Sequence, residues 1–261
     1  MSDFYMKFGG IGRLVGLEGL EKIKAAKVLI IGIGGVGSWV AESLARTGIG
    51  QLTLVDLDDL CVTNINRQSH ALISTVGKFK VDVMKERIEQ INPDCHVSTH
   101  HCFISAKSLE SIFSESYDFI IDACDDFTNK ALLIDHCYRR HLPLVVMGGA
   151  GGKMDPQMIR VSDLSFSQND RLLARLRKKL RQDFSFPDEK TELGIWAVWS
   201  HERAKYPTSS GCLTFTPPGM AKNMDCSEGF GSASFVTGAF AFAACSLVIR
   251  KLTEEVMVIV D

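Results

Sequence analysis

The run Gly32-Ile33-Gly34-Gly35-Val36-Gly37 constrains this chain more than any other stretch. It follows a short apolar segment, KVLIIG (27–32), and leads into VGSWVAESLARTG (36–48), where Val36, Val40 and Leu44 recur at helical spacing and Gly48 stands at the C-cap position. Glycines spaced G-x-G-x-x-G between a strand and a helix leave room for a phosphate to reach backbone N–H groups at the helix start. QLTLVDLDD (51–59) then reads as a second strand with Asp56, Asp58 and Asp59 at its carboxyl end. The unit is βαβ, which imposes parallel pairing and puts a nucleotide crevice at the strand ends. Asp56 lies 19 residues beyond Gly37, where a carboxylate accepts the ribose hydroxyls of an adenosine. NAD and ATP satisfy this pattern equally.

Strand and helix keep alternating to about residue 150. GKFKVDVMKERIEQINP (77–93) has helical spacing at Val81, Met84, Ile88 and Ile91 and stops at Asn92-Pro93, where proline disfavours further helix. HVSTHH is the next strand. YDFIIDACDD (117–126) is a fourth, buried strand ending in acids, NKALLIDHCYRR a helix and LPLVVMGG (142–149) a fifth strand. The pattern predicts an α/β fold, a Rossmann-like, doubly wound and mostly parallel sheet. After GGAGGKMDP it changes to a short strand at QMIRVSD, a basic helix near 168–182, GIWAVWS, and an irregular span over 201–230. No clear linker intervenes, so residues 151–261 are expected as a carboxyl-terminal elaboration packed on the same core.

Composition narrows the setting. Hydrophobic residues make up 46% and charged residues 23%, as in a globular protein with a sizeable core. A net charge of −2 means that contact with nucleic acid needs a local basic patch. Eight cysteines with no Cys-x-x-Cys pair and no secretory signal read as reduced thiols in a cytoplasmic protein, with neither a disulfide framework nor structural zinc expected. GSASFVTGAFAFAACSLVIR (231–250) is about long enough to cross a bilayer. Its many small residues favour a helix packed inside the protein over membrane association.

The choice between the nucleotides falls to Asn64, Arg67 and Gln68 in NINRQ, with Lys80 thirteen positions after Arg67. Hydride transfer has no evident need of them, whereas attack on an α-phosphate needs cations that neutralise charge building on phosphate oxygens. Arg67 and Lys80 are of that kind. Asp125, at the end of the fourth strand, is a candidate magnesium ligand, with a helix cap as its structural alternative.

The turn Gly32–Gly37 with DLDDLCVTNINRQ and DACDD resembles the adenylating superfamily of ubiquitin-activating enzymes and bacterial activators of sulfur-carrier proteins, over residues 9–150. The resemblance implies an ATP site in which Gly32, Gly34, Gly35, Gly37, Asp56, Asp58, Asn64, Arg67, Gln68 and Lys80 hold the nucleotide and Asp125 the magnesium. It also implies that Arg13, in FGGIGRLVG, reaches into a partner subunit's site, hence a homodimer. On this division 9–150 is the ATP-binding half and 151–261 the substrate-binding and dimer elaboration of one adenylating domain.

RTGIGQLTLVDLDDLCVTNINRQSHAL, PLVVMGGAGGKMDP and MDCSEGFGSA are similar to the tRNA threonylcarbamoyladenosine dehydratase branch, over nearly the whole chain. That branch uses ATP to activate the carboxylate of threonylcarbamoyladenosine beside the tRNA anticodon, which then closes into a cyclic form with net loss of water. The resemblance brings in tRNA as substrate and a cysteine desulfurase system as a partner. Cys226, between an acid and a glycine-rich turn, is the candidate thiol nucleophile, although its neighbouring sequence offers no histidine as base. RLLARLRKKLR (171–181) places leucines on one helical face and Arg171, Arg175 and Lys178 on another, a stripe suited to tracking a phosphate backbone. Two other functions fit parts of the pattern: activation of a ubiquitin-like or sulfur-carrier protein, and an NAD-binding oxidoreductase or regulator.

Overall fold

A computed structural model describes residues 3–188, 191–208, 210–216 and 231–254. Seven strands form one sheet: β1 (Lys27–Ile31), β2 (Gln51–Val55), β3 (His96–His100), β4 (Phe119–Asp122), β5 (Leu144–Met147), β6 (Ile159–Asp163) and β7 (Trp196–Ser200). Their order is β3-β2-β1-β4-β5-β7-β6, and every pairing is parallel except β6 with β7. The order reverses between β1 and β4, which opens a crevice at their carboxyl ends.

Both faces of the sheet are covered, which is why its strands read as unbroken apolar runs. Val28 and Ile30 of β1 face a cluster built with α2 (Gly37–Thr47), α3 (Lys80–Ile91) and α7 (Ser234–Thr253). Leu29 and Ile31, one residue out of step, face the other cluster with α4 (Ala106–Ile112), α5 (Phe127–Arg139) and α6 (Arg171–Phe184). Strands and helices thus follow the expected order, with α3 ending at Asn92-Pro93 and α2 capped by Gly48 at φ 89°. The apolar segment 231–250 enters the core as α7, burying Val236, Phe240, Ala244 and Val248. Among the described helices α7 alone is long and apolar enough to cross a bilayer, yet its buried face belongs to the same cluster as α2.

Four features depart from the sequence pattern, one being the helix α4 between β3 and β4, which the sequence reading did not place. The fourth strand stops at Asp122, short of the acids at 125 and 126, because the Asp122 carboxylate folds back to accept the Cys124 N–H at 3.2 Å. An unanticipated helix, α1 (Asp3–Ala25), covers the outer side of α2 and α7, with Phe4, Phe8, Leu20 and Ile23 buried and a kink at Gly16 (φ 78°). The irregular span contains a short hairpin of β8 (Tyr206–Pro207) and β9 (Leu213–Thr214).

One buried ion pair fixes the end of β4. Lys130 of α5 and Asp122 are both fully buried, with Nζ 2.8 Å from Oδ2. Burial alone would discharge the lysine, but Asp122, Cys124 and Asp125 together outweigh it and hold the Lys130 pKa above its ordinary value. Lys130→Met removes the cation and strands a carboxylate in an apolar interior, a change that costs about 3–5 kcal/mol. Urea titration of the variant is expected to show a loss of that size; a loss under about 1 kcal/mol would mean that the pair does not hold the strand end as described.

Candidate active site

The glycine turn is a place where three stretches of backbone come too close for side chains. Gly32 has φ 87°, and a Cβ there would lie 2.7 Å from the Cys124 N at the exit of β4. A Cβ on Gly37 would lie 1.8 Å from the Gly32 carbonyl oxygen. Gly34 differs, since a Cβ there would meet nothing within 4 Å; packing does not demand this glycine, and the space above it is open to a ligand. The start of α2 therefore points into the β1/β4 crevice with bare backbone.

Asp56 anchors the turn from the next strand. Its Oδ2 accepts the Ile33 N–H at 2.7 Å and its Oδ1 the Asp58 N–H at 2.9 Å. Lys80, at the first turn of α3, is buried with its Nζ 2.6 Å from Asp58 Oδ2 and 3.8 Å from Asp56 Oδ1. Burial raises the Asp56 pKa above the usual carboxylate value, with Lys80 and the two N–H groups pulling it back. Lys80 joins the two carboxylates just below the turn.

Arg67 closes the other side. Its carbonyl accepts hydrogen bonds from Trp39 Nε1 of α2 (2.9 Å) and Thr237 Oγ1 of α7 (3.3 Å). Its alkyl stem lies over the turn, 3.4 Å from where a Gly35 Cβ would stand. The guanidinium donates to the Thr63 carbonyl and to Asn66 Oδ1. Asn64 Oδ1 caps the same short 3₁₀ turn by accepting the Cys61 N–H at 3.0 Å. Gln68 is buried, and its Oε1 has no partner among the described residues.

The remaining expected residues sit around this cluster. Asp125 is exposed at the crevice rim, while the cap of α5 falls to Asp126, whose Oδ1 accepts the Asn129 N–H at 2.7 Å. Among the described residues no three His, Cys, Asp or Glu side chains gather as a metal site. That fits magnesium only in its usual nucleotide-bound form, held by one or two carboxylates together with phosphates. Arg13 stands apart, exposed on α1 with its guanidinium beside Gly9 and Gly10 of the same helix. Cys226 lies outside the described residues. Cys124 packs at the core edge, its thiol 2.9 Å from Asp122 Oδ1 and its pKa driven up by burial and that carboxylate.

Sequence reasoning missed two buried groups here. Lys153, in the loop after β5, has its Nζ 3.5 Å from Asp170 Oδ2. Asp170 also accepts the Gly149 N–H (2.9 Å) and caps α6 through the Leu173 N–H (3.0 Å). This carboxylate ties the basic helix to the crevice loop. Arg171, Arg175 and Lys178 are exposed on α6, over buried Leu173, Leu176 and Leu180. The second group is His70, 1% exposed, with neither ring nitrogen partnered among the described residues. Lysine inside GGAGGKMDP and histidine inside NRQSHAL were the available signals, but nothing local marks either as buried.

The chain is similar to known proteins along almost its full length. The ThiF family model matches residues 11–258. The tRNA threonylcarbamoyladenosine dehydratase of Haemophilus influenzae is 44% identical over 257 residues, covering 98% of this chain and 96% of that protein. Its Escherichia coli counterpart is 46% identical over 252 residues, covering 95% and 94%. The crystal structure of E. coli tRNA N6-threonylcarbamoyladenosine dehydratase in complex with ATP superposes with a TM-score of 0.87 at 42% identity, covering 98% of this chain and 97% of that one.

His70 gives this site an acid sensitivity. Burial first, then the charges of Lys80 and Arg87, push its pKa down to about 3 from an ordinary 6.5. The folded protein therefore holds His70 neutral, and the unfolded chain takes up the proton as pH falls below about 6.5. The stability that the neutral ring contributes is present above that pH and is lost progressively toward pH 3. On the order of 2 kcal/mol is expected to disappear between pH 7 and pH 5. Urea titrations at the two pH values are expected to show His70→Gln less pH-dependent by that amount; equal pH dependence in variant and parent would refute a buried neutral His70.

Proposed function

The chain belongs to the ThiF family, and from that premise we propose that it is an ATP-dependent tRNA threonylcarbamoyladenosine dehydratase. The observation that carries the reading is the full-length similarity to enzymes of that name, the segment after residue 150 included, together with an ATP complex of the same fold. It displaces both the carrier-protein activator and the NAD-binding reading.

The chemistry follows from the poor electrophilicity of a carboxylate. A carboxylate oxygen of threonylcarbamoyladenosine attacks the α-phosphorus of ATP and pyrophosphate departs. A nitrogen or oxygen of the same side chain, losing its proton, attacks the acyl carbon, and AMP leaves with the original carboxylate oxygen. Ring closure is intramolecular, so proximity supplies much of the rate without an enzyme nucleophile. Cys226 has no required part in this scheme.

In this reading Asp56 receives the ribose hydroxyls and the bare turn at Gly32, Gly34, Gly35 and Gly37 faces the phosphates. Arg67 and Lys80 neutralise charge on phosphate oxygens and the Asn64 amide donates to them, while Asp58, paired with Lys80, and Gln68 complete the nucleotide site. Asp125 would hold a magnesium ion, which would further neutralise the triphosphate. Arg13, exposed on α1, serves the site of a second copy, so the working form is a homodimer. Residues 9–150 are then the ATP-binding half and 151–261 the substrate and dimer half. The enzyme works in the cytoplasm, with a cysteine desulfurase system as an associated partner.

The direct test is incubation of tRNA bearing threonylcarbamoyladenosine with the protein and ATP, followed by mass analysis of the nucleosides. The expected product is lighter by one water; ATP-dependent exchange of pyrophosphate driven by a small protein ending in Gly-Gly, with unmodified nucleosides, would contradict the proposal. For the site, Arg67→Ala and Arg13→Ala are each expected to slow turnover about 100-fold or more, the scale for removing one electrostatic stabiliser. Mixed dimers of the two variants recover part of the activity, because one site of the pair then holds both native arginines. Mixed dimers as inactive as either parent would place Arg13 in its own chain's site. For the RNA, replacing Arg171, Arg175 and Lys178 together by Gln is expected to flatten the salt dependence of tRNA binding by roughly 0.7–0.9 in log–log slope per lost phosphate contact. ATP affinity stays unchanged; an unaltered slope would put the tRNA elsewhere.

A further inference from the structure

Rings and guanidinium groups alternate along the carboxyl edge of the sheet. Phe127 opens α5, just after Asp125 and Asp126, and the Arg175 guanidinium of α6 lies 4.9 Å from its ring centroid. One turn back along α6, Arg171 donates to the Tyr206 hydroxyl at 3.4 Å, joining the helix to β8. Ahead of β8, Arg203 lies 4.9 Å from the ring centroid of Phe215, which follows β9 and is 52% exposed. The strip is fixed to the crevice at two points. Asp170 bonds the Gly149 N–H from the start of α6, and the Lys205 N–H bonds the Gly152 carbonyl at 2.8 Å. Both attachments are to the loop after β5, next to the strand end that leads to Asp125.

We propose that this strip is a stacking surface for unpaired RNA bases, with the Phe215–Arg203 and Phe127–Arg175 pairs meeting bases while Arg171 and Lys178 meet phosphates. The inference rests on the RNA reading above and deepens it: the surface takes a single-stranded loop. A large aromatic ring left half exposed beside a guanidinium loses apolar surface to water for no packing gain, and presents a flat face carrying nearby positive charge. Unpaired bases have free π-faces and an anionic backbone, which complement both features. Bases inside a duplex are already stacked on one another, so duplex RNA can use the cations but not the rings. Arg175 serves both parts, its charge facing the backbone and its plane stiffening Phe127. The hairpin β8–β9 thereby acquires a role, as the arm that carries Phe215 outward from the sheet edge.

The test compares an RNA stem-loop with an anticodon-sized loop and a blunt duplex of the same stem, binding to the whole protein across a salt series. Phe215→Leu is expected to weaken stem-loop binding at least about five-fold, the low end for losing one stacked base, with the salt slope and the duplex affinity unchanged. Phe215→Trp restores binding, and Arg203→Gln lowers the salt slope as well as the affinity. Melting temperature and ATP affinity of the variants report on folding, and the exposure of Phe215 makes both substitutions tolerable. Wild-type affinity of Phe215→Leu for the stem-loop, or an equal loss on the duplex, would overturn the stacking surface. Cyclisation of modified tRNA by the unaltered protein separates the two proposals: activity with a failed stacking test removes only the surface, whereas no activity removes the enzymatic reading.

Discussion

The site depends first on a near-collision of backbones. Gly32 and Gly37 approach the β4 exit and each other so closely that a single methyl group at either would overlap main-chain atoms. This is what allows β1, α2 and the end of β4 to converge at one point, with the turn backbone at Gly34 and Gly35 partly exposed just before α2. The buried pair Lys130–Asp122 secures the β4 side of that junction, and Asp56, bonded to the Ile33 N–H, secures the β2 side. In the proposed reading, phosphate affinity starts from this main-chain geometry before any cation is added.

The cations then arrive already paired. Lys80 rests on Asp58 and Asp56, and Arg67 on the Thr63 carbonyl and Asn66. Each pairing keeps a charged group ordered. In the proposed reaction a phosphate exchanges with these internal partners, gaining fixed charge without the reorganisation that water would need. Lys153 differs: buried, its pKa lowered by desolvation and only partly restored by Asp170 and Glu202, it joins the crevice loop to the basic helix.

How much of this was legible in the sequence follows the distance over which each signal acts. The glycine turn, the Asp56 position, the Gly48 cap and the stop at Asn92-Pro93 are local patterns, and the sheet follows from their alternation. The helix α1 escaped notice because glycines at 9, 10, 12, 16 and 19 interrupt its periodicity and a kink shifts the phase at Gly16. The pairs Lys130–Asp122 and Lys153–Asp170 escaped because their partners meet only through packing. The stripe on α6 was visible as spacing, but its rings, Phe127 and Phe215, come from a different helix and a hairpin. Asp125 was read as ending the fourth strand, which stops at Asp122, and the capping alternative falls to its neighbour Asp126.

The central claim is that the carboxylate itself is adenylated, and oxygen isotopes test it directly. With threonylcarbamoyladenosine labelled with ¹⁸O in its carboxylate, on tRNA, a single turnover with ATP is expected to transfer one label atom to the AMP released and none to pyrophosphate. AMP without label, or label in orthophosphate beside ADP, would show that the oxygen leaves by another route and would contradict the account.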